Sequence, residues 1–381
     1  MKKIVVILLA FVLLITGCAP SFSDQDEAIV DESQEEIAEE TAIIPRYSVS
    51  DTEYRVLIDN ELSKARGVIT NQIANRIDID EVEEGLKRHS KQYYDPDRFY
   101  FQEGQYLTED ILYNWLERYD EEEEPLGLNP AIEEEYNKEQ EENNPKYLSH
   151  VLEQNYVTKS EDNVVELAGI SLAIAMKSVY RFQTEKNGPD FYKDISESEM
   201  LREANSISQK VVTRVREIEG LEEVPILLSI YREASQSSLT PGSFVAKTTV
   251  GAEENSVGDW ESIDEEYVLF PSNYAQENYP DTWANLNDFE SDISTYFPNY
   301  VSVIGKGFYK DGELRRLTIE IPVAFYGKSE LIGFTQYVYG LVVEGFQNHY
   351  DLEINIKNGD KQESLIVREA GDDEGFVHIY R

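Results

Sequence analysis

Glu166-Leu167-Ala168-Gly169-Ile170-Ser171, carried on through Leu172-Ala173-Ile174-Ala175-Met176 to Phe182, is the stretch on which the fold turns. Its Ala, Leu and Met content and its length predict a mostly apolar helix over 167–182. The run is too short and too interrupted to span a membrane, which takes ~20 apolar residues. Glu330-Leu331-Ile332-Gly333-Phe334-Thr335 repeats its opening pattern, and without a gap Val179 then matches Val343 and Phe182 matches Phe346. Upstream, Tyr94-Asp95-Pro96 is echoed by Tyr296-Phe297-Pro298, and Gly104-Gln105-Tyr106 by Gly307-Phe308-Tyr309. The order is the same in both halves. It predicts an internal duplication: two related α+β units over 46–190 and 191–381, with antiparallel sheets packed by helices.

Outside these segments, strands and helices alternate. Tyr54 to Ile58, Arg98 to Gln102 and Pro225 to Tyr231 have strand composition. Ile79 to Tyr93 has helical spacing, and Thr108 is an N-cap for a helix through Arg118. Ser196 with Glu199 is a capping-box pattern that opens a helix to about Glu219, closed by Gly220 and linking the two units. Tyr300 to Ile304, Phe308 to Lys310 and Leu317 to Pro322 read as strands, with Asp311-Gly312 as a tight hairpin turn. A helix is expected over Leu331 to Gln347. Strands follow over Leu352 to Lys357, Ser364 to Arg368 and Val377 to Tyr380.

The start of the chain carries a different message. Lys2 and Lys3 precede an apolar run from Ile4 to Ile15, and Thr16-Gly17 place small residues before Cys18. That is the layout of an exported lipoprotein over 1–17, with Ile15-Thr16-Gly17-Cys18 as the lipobox. A lipid transferase would then put diacylglyceryl on the Cys18 thiol, and a signal peptidase would cut before it. Cys18 is the single Cys of 381 residues, so the exported part has no Cys pair for a disulfide and no Cys nucleophile. The expected location is the outer face of a bacterial cytoplasmic membrane, lipid-anchored. Residues 18–45 are acidic and polar and read as a disordered tether.

The chain carries 34 Lys and Arg against 75 Asp and Glu, a formal net charge of −41. Such a surface repels phosphate backbones and excludes nucleic acid as a partner. No catalytic constellation stands out. His89, His150, His349 and His378 lie outside any nucleophile elbow or zinc spacing, and each is expected to be structural. Asp78-x-Asp80 with Gly85 fails as a calcium loop, because Val82 and His89 occupy ligand positions. No cofactor or metal is expected. Phe99, Tyr100, Phe101, Phe308, Tyr309, Phe325 and Tyr326 could line a groove for peptide or sugar, with strand packing the plainer role.

Longer strings are distinctive enough to carry a resemblance. They include Ser63-Lys64-Ala65-Arg66-Gly67, Tyr100-Phe101-Gln102-Glu103-Gly104-Gln105-Tyr106-Leu107 and Asn144-Pro145-Lys146-Tyr147-Leu148-Ser149-His150. Ile304-Gly305-Lys306-Gly307-Phe308-Tyr309 and Ile332-Gly333-Phe334-Thr335-Gln336-Tyr337 continue them. The chain resembles the CamS family, sex-pheromone precursor lipoproteins of Gram-positive Firmicutes. The resemblance implies that a short hydrophobic peptide is released from the end of the signal sequence. Here that peptide is Phe11-Val12-Leu13-Leu14-Ile15-Thr16-Gly17, which shares only hydrophobicity with the Ala-Ile-Phe-Ile-Leu-Ala-Ser pattern of active members. The exported part is expected to be a non-enzymatic module binding a peptide, a wall component or a partner protein. The alternative is a wall glycan or peptide hydrolase using paired Asp/Glu.

Overall fold

The computed structural model describes residues 26–30, 40–44, 50, 53–58, 62–160, 164–297, 302–325 and 327–381. In chain order the first part comprises β1 (Asp26–Val30), β2 (Glu40–Ile44), α1 (Val68–Gln72), α2 (Arg76–Ser90), β3 (Tyr100–Glu103) and α3 (Glu109–Leu116). It continues with α4 (Lys138–Asn143), β4 (Leu148–Lys159), β5 (Val164–Met176), β6 (Val179–Gln183), β7 (Asp190–Asp194) and α5 (Glu197–Val215). β8 (Ile226–Arg232), β9 (Ser243–Val250) and β10 (Glu261–Ser262) complete it. The second part comprises β11 (Glu265–Phe270), α6 (Asn273–Asn278), α7 (Pro280–Tyr296), β12 (Ile304–Lys310) and β13 (Glu313–Pro322). α8 (Lys328–Gly345), β14 (Asp351–Asn358), β15 (Lys361–Arg368) and β16 (Phe376–Ile379) follow.

The expected α+β class holds, with two units, but the decisive stretch is not a helix. Residues 164–176 form β5, and Val179–Gln183 a separate strand. β5 is covered on both faces. Leu172, Ile174 and Met176 meet α5 and α3, while Ala173 and Ala175 meet Val82 and Leu86 of α2. A strand buried on both sides loses the polar alternation that marks strands in sequence, and its apolar run mimics a buried helix. Gly169 fits the same sheet: a Cβ there would sit 2.3 Å from the ring of Tyr94.

The duplication is real in topology and out of register in sequence. Strands β3-β4-β5-β8-β9-β10 pair in that order, and β11-β12-β13-β14-β15-β16 repeat it. Each set is antiparallel except its third and fourth members, β5 with β8 and β13 with β14, which run parallel. Helices α3 and α4 join the first two strands of one set, as α6 and α7 join those of the other. α5 bridges the first parallel pair and α8 the second. Parallel neighbours need such a crossover, which is why the sheets are mixed rather than purely antiparallel. The partner of β5 is therefore β13. Residues 166–171 and 330–335, matched in sequence, are strand and helix, and their likeness is one of apolar composition.

The division between units also moves. α5, β8, β9 and β10 all belong to the first sheet, so the change of sheet falls at 263–264 and not at 190–191. Within the expected tether, β1 and β2 form an antiparallel hairpin, and β1 adds in parallel beside Val164 and Val165 of β5. An open strand edge offers backbone partners even to an acidic segment. Tyr54 to Ile58, expected as a strand, makes isolated bridges to Phe101 and Ile43.

Several local expectations hold. Ser196 caps α5 by accepting from the Glu199 amide at 3.3 Å, although the helix ends at Val215. Asp311 and Gly312 take φ 54° and 74°, the left-handed pair that a two-residue hairpin needs. α5 buries Met200, Ile207, Val211, Val212 and Val215 against the first sheet, about 1.5–3 kcal/mol for each large side chain. In the second unit α7 and α8 share one face through Leu286, Phe289, Phe334 and Val338.

Candidate functional site

The parallel pair β5 and β8 places the site. In open sheets the crevice past the carboxyl ends of parallel strands is where ligands sit, because the connections diverge there. Lys177 is the first residue after β5, and Glu233 the first after β8. The Glu233 amide donates to the Met176 carbonyl at 2.9 Å, and the Lys177 amide to the Tyr147 carbonyl at 2.8 Å. These bonds hold both residues at the rim of a cavity of about 810 Å³, which Gln72, Tyr113, Lys146 and Tyr180 also line. That volume lies within the usual range for small-ligand sites, ~300–1,000 Å³. A second hollow of about 390 Å³ shares Val179, Glu233, Ala234 and Ser235 with it.

The polar groups here are held from behind. Lys177 Nζ donates to Ser149 Oγ at 3.2 Å, and Ser149 Oγ to the Gln72 carbonyl at 3.3 Å. Lys146 pairs with Glu117 at 3.2 Å. The Tyr180 hydroxyl donates to Glu141 at 2.6 Å and accepts from Arg118 at 3.0 Å. Burial, then the bond to Glu141, pushes that hydroxyl up to about 12. Glu233 differs from all of these. It is only 4% exposed, and its Oε1 has no hydrogen-bond partner. Burial raises its carboxyl above the ordinary range, opposed first by the charge of Lys177.

The loop after Glu233 is fixed by α2. Asp78, fully buried in its first turn, accepts from the Tyr231 hydroxyl at 2.6 Å, the Gly242 amide at 2.6 Å and the Ala234 amide at 3.2 Å. Asn75, the N-cap, donates to the Ser235 and Ser238 carbonyls at 3.2 and 3.0 Å. Gly242 leaves no room for a side chain, since a Cβ would lie 1.9 Å from the Arg232 carbonyl oxygen. Asp78 also raises the Glu233 carboxyl through its charge. Its own oxygens are already engaged, so the two acids do not make a free carboxylate pair for hydrolysis.

At the matching strand ends of the second unit stand Val323 and the Asn358-Gly359 turn. The Val323 amide donates to the Lys357 carbonyl at 2.8 Å, while the Lys357 ammonium pairs outward with Glu320 at 2.7 Å. One topology thus carries ionisable chemistry in the first unit and an apolar residue and a turn in the second.

The residues that stood out in the sequence fare differently from one another. Cys18 and the heptapeptide Phe11, Val12, Leu13, Leu14, Ile15, Thr16 and Gly17 lie outside the described residues. His89 is buried at the junction between units, with Nε2 3.2 Å from Glu265. His150 is buried and pushed down to about 3 by desolvation. His349 packs edge-on to Tyr350, and His378 lies between Phe376 and Tyr380 on β16. Phe101 packs edge-on to Tyr156 and Tyr309 lies 4.0 Å from the Tyr279 ring, and the two border separate hollows, Phe101 with Gly104 and Gln154 and Tyr309 with Arg315 and His349, not one shared groove. Tyr326 lies outside the described residues. The cavity tyrosines and Glu233 did not stand out in the sequence. Their one signal there is an acid placed directly after a strongly apolar strand. Among the described residues no cluster of three or more His, Cys, Asp or Glu is placed to hold a metal, and no helix is long and apolar enough to cross a membrane.

Residues 61–374 match the family described as CamS sex pheromone cAM373 precursor. The chain is similar to the solved sex pheromone precursor from Lactobacillus salivarius subsp. salivarius UCC118, at 28% identity and a TM-score of 0.81, over 88% of this chain and 98% of that one. It is also similar to the C-terminal domain of the sex pheromone staph-cAM373 precursor from Staphylococcus aureus, at 30% identity and a TM-score of 0.71, over 82% and 99%. No curated protein matches.

Proposed function

Because the chain belongs to the CamS sex pheromone cAM373 precursor family, we propose that it is a lipoprotein held on the outer face of the membrane through Cys18, with an exported part that binds a small ligand. Two acyl chains on one sulfur are enough for lasting attachment, whereas a single chain binds only marginally. Signal peptidase cleavage before Cys18 would leave Phe11 to Gly17 at the end of the released leader, where a hydrophobic peptide could be trimmed free. The observation that carries the binding role is the buried Glu233, a residue that lines the 810 Å³ cavity and has one carboxyl oxygen unpaired. Buried polar atoms are nearly always satisfied, and a group left open in a concave site is one a ligand can complete. Peptide and wall fragments fit the size and the mixed lining. Nucleic acid does not fit a net charge of −41.

Two results are expected. Cys18→Ala should shift the protein from the membrane fraction to the medium or leave its leader uncleaved, and mass spectrometry of the parent should find diacylglyceryl on Cys18. Unchanged anchoring in the variant would refute the lipid attachment. Immobilised protein should retain fragments from a soluble cell-wall digest, and Ser235→Trp, which fills the opening shared by the two hollows, should abolish that retention. Equal retention by the variant would move the site elsewhere.

A further inference from the structure

We propose that Glu233 receives the primary ammonium group of a zwitterionic ligand, an amino acid or short peptide with a free amino terminus. This rests on the cavity being the ligand site and adds the chemistry of the ligand. Glu233 Oε1 is buried and lacks a donor. A cationic ligand group would favour the ionised carboxyl, whose oxygens only accept, so what completes it must carry N–H or O–H. Lys177 does not fill that role: its Nζ donates to Ser149 and acts on Glu233 through its charge. An ammonium group supplies both donors and positive charge, and charge-assisted bonds of this kind are the strong ones in a dry site.

The remaining lining suits the other end of such a molecule. Lys146 and Arg181 border the same cavity, in a chain where acids outnumber bases by 75 to 34. Arg181 is held only loosely, 3.9 Å from Asp190, and can turn toward a ligand carboxylate. Tyr113, Tyr180 and Tyr192 offer ring faces between the acidic and basic ends. The second unit makes an internal comparison: its matching strand ends carry Val323 and Gly359, which can bind neither charge.

The test is equilibrium dialysis of the full chain in detergent against a random tripeptide mixture with free amino termini, and against the same mixture N-acetylated. Retained peptides are counted by mass spectrometry. Acetylation removes the charge and most donors, so retention should fall about tenfold or more, the effect of one charged hydrogen bond. Glu233→Gln should erase the preference for the free amine. The acetylation comparison needs no variant and stands even if that substitution disturbs folding. Equal retention of both mixtures, lost in Ser235→Trp, would overturn the ammonium assignment and leave the cavity as the site. Retention of neither mixture, or retention that Ser235→Trp leaves intact, would overturn both.

Discussion

Asp78→Ala should destabilise the protein by about 3 kcal/mol and free the loop that walls the cavity, because one buried hydroxyl and two loop amides lose their acceptor at once. The Tyr231 hydroxyl and the Ala234 and Gly242 amides all converge on this carboxylate. Asp78 and Tyr231 are fully buried, so the hydroxyl has no water to turn to, whereas the two amides sit in a half-buried loop. Asp78→Asn keeps one acceptor oxygen and should lose less. Urea denaturation checks the size of the effect, with a lower midpoint at an unchanged slope. Faster amide exchange over 234–242 in the Ala variant would tie the loss to the loop. A variant as stable as the parent would mean that the loop holds itself.

Glu265→Ala should have a comparable effect, about 3–5 kcal/mol, at the junction between the two units. Glu265 starts β11 of the second sheet, yet its side chain is fully buried and lies 2.9 Å from Arg88 and 3.2 Å from His89, both on α2 of the first unit. Lys310 of β12 is 3.3 Å away. Arg88 also pairs with Glu81 at 2.7 Å and lies 4.6 Å from the Phe308 ring centroid. Removing the carboxylate strands the buried His89 imidazole and leaves the half-buried Arg88 guanidinium with Glu81 alone. Burial alone would raise Glu265, but the hydrogen bond from His89 and the charge of Arg88 outweigh it and hold the carboxyl at about 2. A carboxyl depressed in the folded state stabilises it above its unfolded value, near 4.5. That contribution fades as pH falls toward 2. Acid should therefore loosen the junction between about pH 4.5 and 2. Calorimetry of the variant should show the single transition broaden or split as the units melt separately. A transition unchanged in midpoint and shape would mean that the network adds nothing to the junction.

What the sequence revealed depended on where each signal originates. Local chemistry was legible: the Ser196 cap, the Asp311-Gly312 turn and the Thr108 cap each involve atoms within a few residues of one another. The helix at 328–345 showed because polar residues mark one wet face, with Gln336 and Glu344 exposed beside buried Phe334 and Val338. β5 gave no such contrast. Its surroundings come from α2, α3 and α5, far away in the chain, so Ala173 and Leu172 looked alike although they face opposite layers.

The duplication shows the same limit. Two halves were visible as a rhythm of elements, but the short matches paired Gly169 in a strand with Gly333 in a helix. Strand pairing fixes the true equivalence, and pairing is not a local property. The cavity escaped notice for a related reason. Lys177 and Glu233 are 56 positions apart and meet only because β5 and β8 run side by side, Met176 opposite Arg232.

That parallel pair underlies the proposed binding role, and hydrogen-exchange mass spectrometry on the full chain, with and without a soluble cell-wall digest, addresses it directly. Slowed exchange should be confined to residues 71–74, 146–148, 177–181 and 233–237, with the second unit's 322–324 and 357–360 unchanged. Protection centred on the second unit, or none anywhere at saturating digest, would contradict it.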